Sequence, residues 1–404
     1  MAILDMSAMN AALKELYDGQ VVEDLVYSDN PTLAMLPKKT DFGGKYKPVP
    51  VIIGVSQGRS STFANALANQ SAVDVESFLI TRKSDYSIAE ISNETMLASA
   101  TDKMAFLEGS KLFIDGAIRS ATLSLSSSIF RSGTGSIGQI GTIGAGVITL
   151  ANRAEVVQFE KNQTLNACAT DGGAARAAVG YVVAVNRSAG TITVAASMGG
   201  AAASPALWVT GDYLVVEGDL NAKISGLAAW IPDADPSATP FFGVDRSTDT
   251  VRLGGNRYDG SSQSIEEALI DASSQIAENG GKPGVGIVTY ASFSALEKSL
   301  GSKVQYVDAK GPANVGFRGI MINGASSTIK IFPDRNQRAQ KAHLLQMDTW
   351  ALNSLGDAPM ILKYGDNLDM LRVYNGDSSQ VRVGYYAQLA TNAPGWNGVV
   401  SLSA

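Results

Sequence analysis

The chain has 404 residues, of which 17% are charged and 45% hydrophobic, with a formal net charge of −6. That length can bury a large core and implies two or three lobes, while the acidic balance excludes a dedicated nucleic-acid binder, which needs clustered Lys and Arg to displace counterions from phosphates. One cysteine, Cys168, excludes an intrachain disulfide and a cysteine zinc cage, and no run approaches the roughly 18 apolar residues of a membrane span. Charge this sparse, against roughly 25% in an average chain, suits a surface partly covered by copies of itself, and suits a Gly/Ala/Ser-rich β protein equally well. Met1-Ala-Ile-Leu-Asp5 lacks the basic and apolar pattern of a secretory signal, so a cytosolically made protein is expected.

Residues 1–47 read as an arm. Met9, Leu13 and Leu16 line a short helix that stops near Gly19, Asn30-Pro31 and Leu36-Pro37 break regularity, and Phe42-Gly-Gly-Lys45 turns. Residues 48–97 read as a long hairpin, with β-forming Pro48–Gln57 and Ser77–Ile91 flanking a polar stretch from Gly58 to Glu76. In residues 98–139, Met104, Leu107, Ile114, Ile118, Ala121, Leu125 and Ile129 step by three and four and predict one helix over about Thr101–Arg131. At about 1.5 Å per residue it would run roughly 45 Å, which outruns a single compact core and reads as a spine. The hairpin has little apolar sequence of its own to pack against, so a neighbouring subunit is its natural partner.

From residue 140 to 232 the texture changes to short β runs. Val182–Arg187 and Thr191–Val194 flank Ser188-Ala189-Gly190, and Leu207–Thr210 and Tyr213–Glu217 flank Gly211-Asp212. These predict two hairpins of an inserted β domain, about Ile140 to Ile231, with Gly199–Ser204 at its tip and Pro232, Pro236 and Pro240 leading out. Residues 233–345 read as α/β. Ser264-x-x-Glu267 is a capping box before the stripe Ile265, Leu269, Ala272 and Ile276; Val285–Thr289 is a strand, a helix follows around Phe293, Leu296 and Leu300, and Ile320–Ile322 and Thr328–Phe332 are further strands. Residues 346–404 return to β structure, with Asn375-Gly376 turning before Gln380–Ala390.

Chemistry has few candidates. Gly133-Thr-Gly135-Ser-Ile-Gly138 matches the dinucleotide fingerprint, whose physics needs a strand before it and a helix after it. Here a helix precedes and more glycines follow, so a flexible exit from the helix is the stronger reading and an NAD-dependent oxidoreductase the weaker. His343, the only histidine, falls in a short strand Lys341–Met347 and reads as structural, and Cys168 lacks the helix start or basic cluster that would activate a thiol. Asp233-Ala-Asp235 and Asp366-x-x-Asp369 read as solvated loop acids, and Arg335, Arg338 and Lys341 as a salt-bridged surface. No convergent set of titratable groups emerges, so no catalytic, cofactor or metal site is expected.

Asp29-Asn-Pro31-Thr-Leu33 with Val49-Pro50, then Gly58-Arg-Ser-Ser-Thr-Phe63 through Ile91, then Thr101–Arg131, form an ordered series. Gly226-Leu-Ala-Ala-Trp230-Ile-Pro232, Ser264–Phe332, and Asp348-Thr-Trp350-Ala-Leu352 through Leu402 complete it. The series resembles the N-arm, extended E-loop, spine helix, rejoining segment, axial domain and returning peripheral sheet of tailed-bacteriophage major capsid proteins with the Hong Kong 97 fold. The resemblance implies an α+β fold of that type, with peripheral and axial domains plus an inserted β-rich domain. It implies a structural, non-enzymatic function: hexamers and pentamers of the chain tile an icosahedral shell around double-stranded DNA. A separate scaffolding protein, a portal and decoration proteins are the implied partners, with no membrane; the place is the virion, after assembly in the bacterial cytoplasm. The candidate assembly contacts are Pro31, Arg59, Phe63, Arg82, Lys83 and Tyr86. No residue trio matches the Lys–Asn crosslink of the type member. An encapsulin-like nanocompartment is the alternative within this fold, and a β-rich adhesin, like the oxidoreductase, an alternative outside it.

Overall fold

A computed structural model describes residues 30–94, 103–301, 306–310, 316–363, 370–374 and 376–403. The helix expected around Met9, Leu13 and Leu16 and the turn at Asn375 lie outside them. The first element among the described residues is a short helix, Pro31–Met35. Its proline stands in the opening turn, where the missing N–H has no partner to lose. Asn30-Pro31 therefore starts a helix where the sequence suggested a break.

The long helix is Lys103–Phe130, 28 residues and about 42 Å. Ile114, Ile118, Ala121, Leu125 and Ile129 are all buried. The side chains of Met104 and Leu107 are not among those described. Thr122, Ser126 and Ser128 are buried as well, which the apolar stripe alone does not foretell. Each hydroxyl returns to the carbonyl one turn back: Thr122 to Ile118 at 2.7 Å, Ser126 to Thr122 at 2.8 Å, Ser128 to Ser124 at 2.6 Å. That pairing removes the cost of burying a bare hydroxyl, so small polar residues serve here as close-packing ones.

The helix packs on two neighbouring strands, Lys83–Ser92 and Ser378–Thr391, which pair antiparallel from Ser378↔Ser92 to Ala387↔Lys83. Trp350–Ser354 pairs with the other edge of Ser378–Thr391. The stretch Ser77–Ile91, expected as one flank of the hairpin, is thus divided. Asp74–Ile80 pairs with Lys47–Gly54 as the hairpin proper, and the chain then leaves at Thr81-Arg82 to supply Lys83–Ser92 to the body sheet.

A second sheet has seven strands in the order Asn256–Gly260, Gly398–Leu402, Lys341–Leu345, Val285–Val288, Thr328–Pro333, Gly316–Asn323 and Tyr306–Lys310. Helices Ile265–Glu278 and Tyr290–Leu300 cover it, burying Leu269, Ala272, Ile276 and Leu296 against Ile320, Ile331, Leu344 and Val400. Ser264 and Glu267 form the reciprocal capping box expected of them, worth about 1 kcal/mol.

Between the long helix and the second sheet in chain order comes a closed barrel of six strands: Tyr213–Val216, Ser136–Gly144, Val147–Leu150, Thr191–Ala195, Ala175–Asn186 and Thr164–Cys168. Its core holds Ile140, Ile148, Phe159, Leu165, Val182, Ile192, Val194 and Leu214. Leu207–Thr210 is not the strand its sequence suggested. Leu207 has φ +70° and the Val209 N–H donates to the Asp212 carboxylate at 2.9 Å, itself gripped twice by Arg176 at 2.6 Å. An ion pair has replaced a strand with a turn. The barrel's first strand already begins at Ser136, so the glycines after the long helix are packed rather than loose: a Cβ on Gly138 would lie 3.1 Å from the Phe159 ring.

Candidate assembly surface

The hairpin Lys47–Gly54/Asp74–Ile80 projects as an arm. Only its base is buried, through Val51, Phe78 and Ile80. Beyond that base the strands pair with each other alone, and the tip carries a short helix, Phe63–Ala68, with no buried residue. Ile52, Val55, Phe63, Leu67, Val73 and Val75 face solvent, Phe63 at 84% exposure. Scattered exposed apolar residues are ordinary, but six on one slender hairpin form the kind of patch that marks a contact site. A sequence signal for it existed: Val51-Ile52-Ile53 is apolar on both faces of a strand, a pattern that calls for cover on both sides.

The six candidate contact residues separate into two groups. Arg59 and Phe63 lie exposed in the arm beyond its strands, and Tyr86 is 54% exposed on the Lys83–Ser92 strand, its hydroxyl 3.3 Å from that of Tyr386. The other three are engaged within the chain. Pro31 is buried in its helix; Arg82 donates to the Phe42 carbonyl at 2.6 Å and stacks over the Phe42 ring; Lys83 donates to the Asn221 carbonyl at 2.9 Å. Sequence reasoning missed the residues that hold the arm's base: Trp230, Phe241, Phe242, Arg246 and Arg252.

Charge ties the body to the segment that follows the barrel's last strand. Asp85 on the Lys83–Ser92 strand accepts from Lys223 at 2.6 Å, from Tyr385 at 3.2 Å and from Ser124 of the long helix, and Lys223 also reaches Asp219 at 3.0 Å. Burial pushes Asp219 up, against the pull of Lys223, and pushes the Tyr385 phenol well above its ordinary value, helped by Asp85. The cluster borders a polar cavity of 850 Å3 that Arg119 and Arg131 also line.

The residues weighed for chemistry are scattered. His343 is fully buried, with Nδ1 2.9 Å from Gln337, and burial together with Arg338 pushes it down to about 3, so it is a neutral structural residue. Burial, then Asp212, pushes the Cys168 thiol up, the opposite of activation. Asp233 is exposed, as its sequence suggested, but it is ion-paired rather than bare. Burial alone would raise it, but Arg338 (2.7 and 2.9 Å) and Lys341 (3.6 Å) outweigh that and hold it low. Two features read separately from the sequence are one ion-pair cluster. Asp235 pairs with Arg257 at 2.8 Å; Asp366 and Asp369 lie outside the described residues. Gly133–Gly138 runs from helix to strand, the reverse of a dinucleotide site. A Cβ on Gly135 would meet the Asp219 carbonyl at 2.3 Å, which accounts for glycine there without a phosphate. Among the described residues, no three of His, Cys, Asp and Glu converge as a metal cage.

Three comparisons bear on this geometry. Residues 209–368 match the SU10 major capsid protein family. No curated protein matches the chain in sequence. Among solved structures, the capsid asymmetric unit of cyanophage A-1(L) is similar over 96% of this chain and 97% of its own, with a TM-score of 0.56 and 13% identity. The SrpI encapsulin of Synechococcus elongatus (TM-score 0.44, 8% identity, 99% and 96% covered) and the capsid of a native GTA particle (0.45, 8%, 92% and 90%) are more distant. Identity of 13% establishes a shared fold and nothing finer, and scores below 0.5 add no weight to it.

Proposed function

We infer that this chain is a major capsid protein with the Hong Kong 97 fold, a structural subunit of a virion shell and not an enzyme. The observation that carries this is a coincidence: residues 209–368 match a capsid family, and the same chain shares a capsid subunit's fold along nearly its full length. Cohesion comes from heterologous contacts between copies, repeated around symmetry axes into hexamers and pentamers.

Within that reading, Lys47–Ile80 serves as the extended loop and Lys103–Phe130 as the spine of the peripheral domain. The body sheet around Ser378–Thr391 completes that domain, the seven-stranded sheet forms the axial domain, and the barrel is the inserted domain on the periphery. Arg59, Phe63 and Tyr86 contact the neighbour, while Pro31, Arg82 and Lys83 support those contacts from within one subunit. The exposed apolar set on the arm supports this division. A net charge of −6 suits a wall that encloses double-stranded DNA without gripping it. A separate scaffolding protein, a portal and decoration proteins act with it, and assembly takes place in the host cytoplasm.

Negative-stain microscopy of the chain, alone and with its scaffolding partner, tests the function. Closed shells of uniform diameter are expected. Monomers or amorphous aggregate under every condition would overturn the reading, and shells loaded with a cargo enzyme instead of nucleic acid would transfer it to an encapsulin-like compartment.

A further inference from the structure

The arm leaves the body through a contact that one segment, Phe241–Arg252, makes with both of its strands. Phe78 of the second strand is fully buried, its ring 5.0 Å from Trp230 and 6.3 Å from Phe241, both edge-on. Trp230 and Phe241 meet at 5.1 Å and 89°, and Phe241 and Phe242 at 4.5 Å. Backbone bonds complete the grip. The Leu79 N–H donates to the Phe242 carbonyl at 2.9 Å, and the Arg252 guanidinium donates to the Ile53 carbonyl on the first strand.

Behind the aromatic set stands Arg246, only 9% exposed. Its guanidinium lies 4.1 Å from the Phe241 ring centroid and donates to the Ala229 and Trp230 carbonyls at 2.8 and 3.2 Å. Among the described residues the charge that acts on it is the like charge of Arg257, and its Nε has no hydrogen-bond partner. Burial pushes it down to about 10, so it stays charged at neutral pH. A buried cation without a counter-ion is a poor device for stability alone, since apolar side chains of similar volume do as well or better. What it supplies is orientation. The planar group fixes the Phe241 face, and the two carbonyl bonds fix that face relative to Leu227–Trp230, the turn of helix that carries Trp230.

We propose that Phe241–Arg252 is a clamp that sets the angle at which the arm leaves the subunit, with Arg246 and Arg252 as its positioning residues. A two-stranded hairpin is marginal by itself and cannot hold a direction; the clamp holds it. The proposal rests on the arm being an intersubunit contact: the direction in which a heterologous contact is offered decides whether, and at what curvature, a shell closes.

Hydrogen exchange on the full-length unassembled chain reads the clamp directly, and particle diameter reads its consequence. Arg252→Ala removes only a half-exposed side chain and should fold normally; Arg246→Met keeps volume and loses the charge and donors; Arg246→Lys keeps the cation. Exchange at the Leu79 amide should rise about tenfold in the first two, with Ser378–Thr391 at wild-type rates, and their shells should turn broad in diameter or open. Arg246→Lys keeps the cation but loses the planar group, so its shells should be narrower than those of Arg246→Met and broader than wild type. Unchanged exchange at Leu79, or faster exchange with wild-type diameters, overturns the clamp. Should Arg246→Met raise exchange throughout the chain, Arg252→Ala decides. If the wild-type chain makes no shells, the assembly reading falls, and exchange at Leu79 alone judges the clamp.

Discussion

Two excursions leave the body, and they treat their hydrogen bonds and apolar side chains in opposite ways. The barrel closes six strands into a ring, so it has no open edge, and it encloses Ile148, Phe159, Leu165, Ile192 and Leu214. The arm pairs two strands with each other, has no third strand on either outer edge, and turns Ile52, Val55, Phe63, Leu67, Val73 and Val75 to solvent. Both are β structures rich in β-forming residues. Closure separates them: a closed sheet satisfies its own backbone and core, whereas an open hairpin leaves apolar side chains uncovered.

Deleting Ser61–Gln70 should break that comparison most visibly. A soluble, folded monomer is expected, with a thermal midpoint within about 2 °C of wild type, because the removed residues contribute nothing to the core. No shells should form by electron microscopy; normal shells would remove the arm from the assembly.

Phe159→Ala probes the other side. Its ring fills the barrel core, and truncation should cost about 3–5 kcal/mol. Hydrogen exchange should accelerate in the barrel strands while Lys83–Ser92 keeps its protection. Equal loss in both places would mean that the barrel is no separate unit.

Acid should weaken the body that carries both excursions. Burial holds His343 neutral down to about 3, against an ordinary value of roughly 6.5. Between those values the unfolded chain binds a proton that the folded chain does not, so stability falls as pH falls. By pH 5 the loss from this group is about 2 kcal/mol. His343→Gln should cost about 1 kcal/mol at pH 7 and then lose less than wild type between pH 7 and 5. Parallel losses in denaturant titrations at the two pH values would refute the assignment.

The mildest change, Phe63→Ala, should leave monomer stability within about 0.5 kcal/mol. It should raise the concentration needed for assembly about tenfold, as truncating an interface anchor does. Light scattering against concentration measures it, and an unchanged threshold would show that Phe63 is not an anchor.

Much of this was readable in advance. The long helix follows from apolar residues three and four apart, and the Ser264–Glu267 cap from a spacing of three. Phe63 was legible as an exposed apolar residue on a polar stretch. Other readings failed for one reason: the deciding partner is remote. Ser77–Ile91 is uniformly β-forming, and only the presence of Ser378–Thr391 draws Lys83–Ser92 away from the hairpin. Asp233 looks unpaired until Arg338, 105 residues on, meets it. Arg246 carries no local mark, because the Ala229 and Trp230 carbonyls that it meets lie 17 and 16 residues before it.

The sequence by itself determined the long helix, the two helices over the second sheet, the Ser264–Glu267 cap, the hairpin turn that ends at Gly190 and the acidic, sparsely charged composition. These rest on contacts within a few residues, where periodicity and turn chemistry act directly. Tertiary structure alone decided which strand pairs with which, that the barrel closes, and which apolar residues of the arm stay uncovered. The free energy of closing a loop grows only slowly with its length, so distance along the chain places little restriction on partners. The choice falls to how well whole faces bury one another, a property of the assembled fold.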